Sequence, residues 1–220
     1  MTTQRAVIKK IAQSFSGGRW LRGYIQGKLT ADPVFDTALT AVQGTSGMIV
    51  DLGCGLGLLG LFLYFHGHDA KYRGCDLGGW KIIAGINASN RLGHQLDLQQ
   101  GNLLNFPLDN AEIICAFDIL HYLPKREQEF FIRRLASAAR NGSTVLIRNG
   151  VRGCGWRSIM TLLEEWWTRM TGWIQGGTIN FPELKHLIST FEKERCQVET
   201  KPLWGKTPFS SYWLRVSSQH

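Results

Sequence analysis

Apolar and polar positions along the chain fall into two regimes. Over residues 4–16, Val7, Ile8, Ile11, Ala12 and Phe15 recur at helical spacing with charged residues between them, and Ser16-Gly17-Gly18 breaks the pattern. Trp20, Leu21, Tyr24 and Ile25 then predict a second amphipathic turn or two, and Asp32-Pro33 opens a third helix that ends near Gly44. From residue 48 onward, short apolar runs alternate with helical stretches, the pattern of a parallel sheet covered on both faces. Strands are predicted over 48–52, 71–76, 95–99, 112–117 and 143–148, with helices over 80–91 and 125–140. The run at 112–117 is apolar after its first residue, which predicts burial on both faces. A Trp-rich helical stretch over 156–173 and a helix starting near Pro182 follow. Strands over 197–203 and 212–217, joined by a turn containing Gly205 and Pro208, close the chain. Their connection is too short for a parallel crossover, so this last pair must run antiparallel.

The stretch Met48-Ile-Val-Asp-Leu-Gly-Cys-Gly-Leu-Gly-Leu-Leu-Gly60 holds the chemistry. A buried strand ends in it, turns through Gly53, Gly55 and Gly57, and enters an apolar helix. A Cβ at such a turn would block both the tight backbone path and the approach of a ligand. The helix N-terminus behind it offers N–H donors to an anionic group. Gly55-x-Gly57-x-x-Gly60 matches the dinucleotide fingerprint, and Asp76 stands where an acid that accepts ribose hydroxyls belongs. Taken by itself, this pattern suits a dehydrogenase as well as other ribose binders.

An acid in the strand followed by Leu-Gly-Cys-Gly-Leu-Gly resembles the first motif of class I S-adenosylmethionine (SAM)-dependent methyltransferases. The helical segment before the first strand and the closing antiparallel hairpin agree with that family, and no Tyr-x-x-x-Lys pair downstream of the glycine run offers a short-chain dehydrogenase site; Tyr122 and Lys125 miss the spacing by one. The resemblance covers residues 46–150 by motif and the remainder by order of elements. It implies an α/β, Rossmann-like fold with a mostly parallel seven-stranded sheet, a C-terminal antiparallel hairpin and an added helical N-terminus. Residues 1–45 are then a helical extension or cover, and 46–220 the methyltransferase domain. It further implies SAM as cofactor, with Gly53, Gly55 and Gly57 beside its methionine part. Asp51 would orient the amino group or fix the turn. Asp76 would hold the ribose, with Leu77 against the adenine. Asn102 and Leu103 fall where the family often has an acid and an apolar residue at the adenine. Phe117 closes the cofactor set.

On the acceptor side, Phe117-Asp118-Ile-Leu-His121-Tyr122 ends one strand and Arg148-Asn149-Gly150 the next. His121 is the candidate base, because imidazole titrates near working pH. Asp118, Tyr122 and Arg148 are candidates to orient an acceptor or stabilise its anion. No Asn/Asp-Pro-Pro-aromatic motif follows the fourth strand, which argues against amino-methylation of nucleic acid. Six of eight tryptophans (156, 166, 167, 173, 204, 213) follow the fifth strand, which suits an apolar or aromatic acceptor.

A closer resemblance concerns Leu146–Arg157, Gly172-Trp173, Phe181-Pro182 and the early 22–33 stretch, which look like methyltransferases of aryl polyene pigment biosynthesis. Asn149 departs from the Asp expected there. That resemblance implies methylation, at ring carbon or oxygen, of a hydroxylated aryl head group, free or on an acyl carrier protein. Tyr24, Arg152, Trp156 and Trp173 are the residues assigned to the acceptor. An RNA methyltransferase and a nicotinamide-dependent dehydrogenase remain the alternative readings.

Net charge adds one constraint. The chain carries +8, and Arg5, Lys9, Lys10, Arg19, Arg22 and Lys28 all precede the first acid, Asp32. A basic N-terminal run of this kind reads either as a solvated helix face or as a surface for an acidic macromolecular partner, an anionic lipid face or nucleic acid. Five cysteines without a Cys-x-x-Cys pair read as reduced thiols in the cytoplasm. No His/Cys spacing beyond His66/His68 suggests a metal.

Overall fold

The computed structural model describes residues 4–151, 180–204 and 210–219. Three helices come first: α1 (Gln4–Ser14), α2 (Gly18–Ala31) and α3 (Val34–Ala41). The alternating part follows as β1 (Met48–Leu52), α4 (Leu58–Phe65), β2 (Tyr72–Asp76), α5 (Gly79–Arg91), β3 (Asp97–Gln100) and β4 (Ala111–Phe117). A short 3-10 turn (Leu120–Tyr122) leads into α6 (Lys125–Arg140) and β5 (Thr144–Gly150). After the return at Asn180 come α7 (Leu184–Lys193), β6 (Cys196–Pro202) and β7 (Ser211–Ser218).

The seven strands form one sheet in the order β3-β2-β1-β4-β5-β7-β6. All pairs from β3 to β5 are parallel, whereas β7 runs antiparallel to both β5 and β6. The sequence order reverses beside β1, between β2 and β4, and in such sheets ligands collect there at the strands' carboxyl ends.

Period-two alternation sorts the core into two layers. Ile49, Ile113, Cys115, Leu146 and Trp213 pack with α1 to α5, while Val50, Leu52, Ile114, Ala116, Val145, Ile147 and Leu214 pack with Phe131, Leu135, Leu187 and Phe191. The buried side of α1 carries Val7, Ile8, Ile11 and Ala12, with Phe15 buried just after its end, as the spacing predicts. β4 is buried from Ile113 through Ala116, as its apolar run requires.

Several boundaries differ from the sequence reading, each with a cause. The second amphipathic segment is a 14-residue helix, because Leu21, Ile25 and Leu29 bury one continuous stripe that outweighs Gly23 and Gly27. β5 continues past residue 148 to Gly150, because the antiparallel partner supplies Asn149↔Tyr212 and Gly150↔Ser211. The helix expected from Pro182 begins at Leu184. α3 begins at Val34, one residue after Pro33, yet Asp32 still caps it: Val34 N–H donates to Asp32 Oδ1 at 3.1 Å. The Trp-rich stretch over 156–173 and the Gly205/Pro208 turn lie outside the described residues. Among the described residues no helix is long and apolar enough to cross a membrane.

Candidate active site

At the carboxyl end of β1 the chain passes through three left-handed residues, Gly53 (φ +81°), Gly55 (φ +56°) and Gly57 (φ +69°), before α4 starts. A Cβ at Gly53 would lie 2.3 Å from Ile119 Cγ2, so this glycine lets the β1 turn sit against the loop after β4. A Cβ at Gly55 would meet nothing among the described residues, so this glycine borders open space. The N–H groups of Gly53 and Cys54 both donate to Cys75 O, at 2.8 and 2.9 Å, which pins the turn to the end of β2.

Asp76 closes the other side of the turn. Its Oδ2 accepts from Gly55 N–H at 3.0 Å and its Oδ1 from Gly78 N–H at 2.7 Å. Lys81 Nζ stands 3.8 Å from Oδ1. Each carboxylate oxygen keeps a lone pair for a diol. Leu77, next in the chain, is 53% exposed, which leaves its side chain available to a flat apolar ligand. Leu103 is buried beneath this loop, and Asn102 Oδ1 accepts from Leu104 N–H at 2.9 Å in a local turn. Arg134 of α6 donates to the carbonyls of Leu103 and Phe106 and so fixes that loop from below.

Asp51 points to the face that carries the N-terminal helices and is buried. The Tyr72 hydroxyl donates to its Oδ2. Burial pushes the Asp51 carboxyl up to about 7, against the lowering effect of the Tyr72 hydrogen bond, and the nearby Asp76 adds to the rise.

Across from this turn, the ends of β4 and β5 form a second group. Asp118 adopts φ 54°, and its N–H donates to Arg148 O at 2.7 Å. Arg148 is almost fully buried and its Nη2 contacts two carboxylates, Asp118 Oδ2 and Asp32 Oδ2, the latter at 2.8 Å. Lys28 Nζ lies 3.6 Å from the same Asp32 oxygen. Burial alone would raise Asp32, but Arg148 and Lys28 hold its carboxyl below the ordinary range. Asp118 goes the other way, because burial outweighs the same two cations. The junction of α2 and α3 is thereby tied to the carboxyl end of β5, and half-buried Tyr24 sits one turn before Lys28 on α2.

One residue further along β5, Asn149 faces the opposite layer. His121 is buried, and its Nδ1 lies 3.0 Å from Asn149 Oδ1. The Asn149 amide nitrogen donates to Gly150 O at 2.5 Å, which turns the amide oxygen toward the imidazole. An oxygen there can only accept, so Nδ1 carries a proton, and in the neutral ring the lone pair is on Nε2. The His121 ring is stacked on Phe181, with centroids 5.1 Å apart, and Tyr122 packs on it at 4.1 Å. Asn180 N–H donates to His121 O at 2.8 Å. Phe117 is half-buried, with its ring 5.5 Å from Trp213.

The structure thus gathers Asp51, the three glycines, Asp76 and Leu77 at one end of β1 and β2, with Asn102 and Leu103 beyond. It brings Phe117, Asp118, His121, Tyr122 and Arg148 together at the ends of β4 and β5, with Tyr24 on α2, one turn before Lys28. Arg152, Trp156 and Trp173 lie outside the described residues. Sequence reasoning missed Tyr72, Lys81, Asp32, Lys28 and Arg134. It noted Asn149 as a departure from expectation but not as the partner of His121.

The glycine cradle, the two-oxygen acceptor at Asp76 and exposed Leu77 fit an adenosyl group carrying a short charged tail. Residues 49–142 match the family model of a methyltransferase domain. No curated protein matches the chain by sequence. Among solved structures, magnesium protoporphyrin IX methyltransferase from Synechocystis PCC 6803, solved with SAH bound, superposes with TM-score 0.66 at 16% identity, covering 95% of this chain and 93% of that one. The mitomycin 7-O-methyltransferase superposes with TM-score 0.67 at 15% identity, over 96% of this chain and 60% of that one. Human N-acetylserotonin methyltransferase, in complex with SAM, gives TM-score 0.57 at 17% identity, over 84% and 52%. At these identities the likeness establishes the fold.

Proposed function

We propose that this chain, an S-adenosylmethionine-dependent methyltransferase, delivers the methyl group to a small aromatic acceptor whose proton is taken by His121. The acceptor class that best suits the site is a hydroxylated aryl head group, free or esterified to an acyl carrier, methylated at ring oxygen or ring carbon. The observation that carries this reading is the His121–Asn149 pair at the carboxyl ends of β4 and β5. These ends open beside the glycine turn, whose Gly53 touches the same loop through Ile119.

SAM, when bound, supplies a methyl group on a sulfonium that already carries the driving force for transfer. What the protein must add is alignment and, for a hydroxyl acceptor, removal of a proton. Asp76 would accept the ribose hydroxyls, Leu77 would lie on the adenine, and the second lone pair of Asn102 Oδ1 would take the adenine amino hydrogen. Asp51 would face the amino group of the methionine tail. His121 is held in the tautomer a base needs, with its lone pair on Nε2, and two aromatic rings fix its plane. A deprotonated phenol would be the nucleophile for either outcome, directly at oxygen or through the ring at carbon. Asp118 and Tyr122 would orient it. Arg148 is held by two carboxylates, so its part is to set the position of Asp118 and of the α2–α3 junction. The small-molecule methyltransferases among the structural relatives support this substrate scale, as does the stretch around 146–157 that resembles aryl polyene enzymes.

The test is turnover of SAM to S-adenosylhomocysteine (SAH) with hydroxylated aryl acids, offered free and as carrier thioesters. His121→Ala should lower kcat by about 10²-fold or more with SAH affinity unchanged. Asn149→Asp, which would stabilise the imidazolium, should move the acid limb of the pH–rate profile to higher pH by about one unit or more. Undiminished turnover in His121→Ala would remove the base from this account. Failure of SAM and SAH to bind at all would remove the reaction.

A further inference from the structure

The N-terminal helix pair carries a surface that the reaction does not use. α1 ends at Ser14, and its last carbonyls are taken by two arginines from elsewhere. Arg22 Nε donates to Phe15 O at 3.1 Å, and Arg91 Nη1, from the end of α5, donates to Ser14 O at 2.7 Å. A helix C-terminus is the negative end of its dipole, so it gathers guanidinium groups and holds them in place. Both side chains remain exposed, and Arg19 stands beside them at the start of α2. Between Arg19 and Arg22 in the chain stands Trp20, 62% exposed, its ring stacked 6.1 Å from Tyr24. Residues 4–31 contain no Asp or Glu.

We propose that this corner, formed by Trp20, Arg19, Arg22 and Arg91, docks the protein on an anionic lipid bilayer. Guanidinium groups suit the phosphates of the headgroup layer, and an indole is the side chain most at home at that depth. The contact is shallow. α1 turns Val7, Ile8, Ile11 and Ala12 into the core, so it has no apolar stripe left to insert, and its exposed Arg5, Lys9 and Lys10 add charge alone. Trp20 and half-buried Tyr24 lie one turn apart on the face of a helix, not along a channel of successive aromatic platforms of the kind that holds single-stranded nucleic acid. The surface is also connected to the site. At 1.5 Å per residue, Trp20 lies about 18 Å along α2 from Asp32, the residue that holds Arg148. Docking here therefore sets the acceptor side of the site one helix length from the lipid, which suits an apolar acceptor drawn from it. This surface goes beyond the proposed reaction, and its test does not depend on turnover.

The experiment is flotation of the full chain with vesicles of phosphatidylcholine alone or of phosphatidylcholine with phosphatidylglycerol. The expected result is flotation with the anionic vesicles only, weakened by salt. Arg19→Gln should lower the association constant about fivefold at low salt. Trp20→Ala should lower it at low and high salt alike, because burying an indole is not screened. Calorimetric SAH binding equal to that of the unaltered chain shows that each variant is folded. Absence of flotation with anionic vesicles, equal flotation with neutral ones, or undiminished flotation of the Trp20→Ala/Arg19→Gln double variant would each overturn the proposal. A chain that floats as expected but binds neither SAM nor SAH would sink the reaction and leave this surface standing.

Discussion

Asp51 shows how one residue can carry both a fold and a function. It sits where the glycine turn begins, buried, with the Tyr72 hydroxyl donating to one of its oxygens, and burial lifts its carboxyl to about 7. A carboxyl raised this far favours the folded state fully below about pH 4, its unfolded range, and that contribution is lost as pH rises through about 7. A bound SAM amino group would favour the ionised form. Affinity for SAM is therefore expected to increase with pH up to about 7 and then level off, with proton release on binding below that point. Tyr72→Phe removes the hydrogen bond that holds the value down and should move the break to higher pH. Calorimetry in buffers of different ionisation enthalpy reads this directly, and an affinity independent of pH in both proteins would count against it. The glycines were legible in the sequence because positive φ restricts residue type at those positions, and Asp51 and Asp76 because they stand at fixed spacing from them. Tyr72 was not, since nothing in a tyrosine on β2 announces that its hydroxyl ends on a neighbouring strand.

At the scale of elements, the informative feature is the join between α2, α3 and β5. Asp32 works twice: Oδ1 caps α3 through Val34, and Oδ2 accepts from Arg148, 116 residues further along the chain. The cap was readable from Asp-Pro at a helix start, whereas the ion pair was not. Charged partners that far apart are chosen by topology, here by the alternation along β5 that turns Arg148 toward the N-terminal layer and Asn149 away from it. The length of α2 escaped the sequence reading for a related reason. Gly23 and Gly27 weaken the local signal, and burial of Leu21, Ile25 and Leu29 restores the helix only once the sheet is present. Asp32→Asn keeps the cap and loses the charge. It should cost about 1–3 kcal/mol at neutral pH, with Asp118 still beside Arg148. A carboxyl held below its ordinary range gives stability that is present above about pH 4 and lost as pH falls through its folded value. The variant's stability should accordingly vary less with pH on the acid side, as urea denaturation between pH 3 and 6 would report. An unaltered acid limb would separate Asp32 from the stability of the join.

At the scale of the molecule, strand order and the two-layer core follow from the alternation of strands and helices, and the antiparallel end follows from the short final connection. Both were available before any coordinates. The acceptor side was less so, because it is assembled from α2, the loop after β4 and β5 together. The glycine turn lies at the centre of the sheet, so filling it should stiffen the whole domain. SAH at about 100 times its Kd is expected to stabilise by about 2.7 kcal/mol, raising Tm by on the order of 5–10 °C. Loss of this shift in Asp76→Ala would tie it to the site, and a shift that persists there would detach Asp76 from cofactor binding. The position of β7 has a consequence for synthesis. The last strand of the sheet is not at its edge but between β5 and β6, so β5 waits for a partner until residues 211–218 have left the ribosome. Until then the row Thr144-Val-Leu-Ile147 presents an open, apolar border to other nascent chains. Stop codons placed just before residue 211 should therefore yield insoluble protein rather than a slightly shorter enzyme, and recovery of such fragments should depend on chaperones that shield strands.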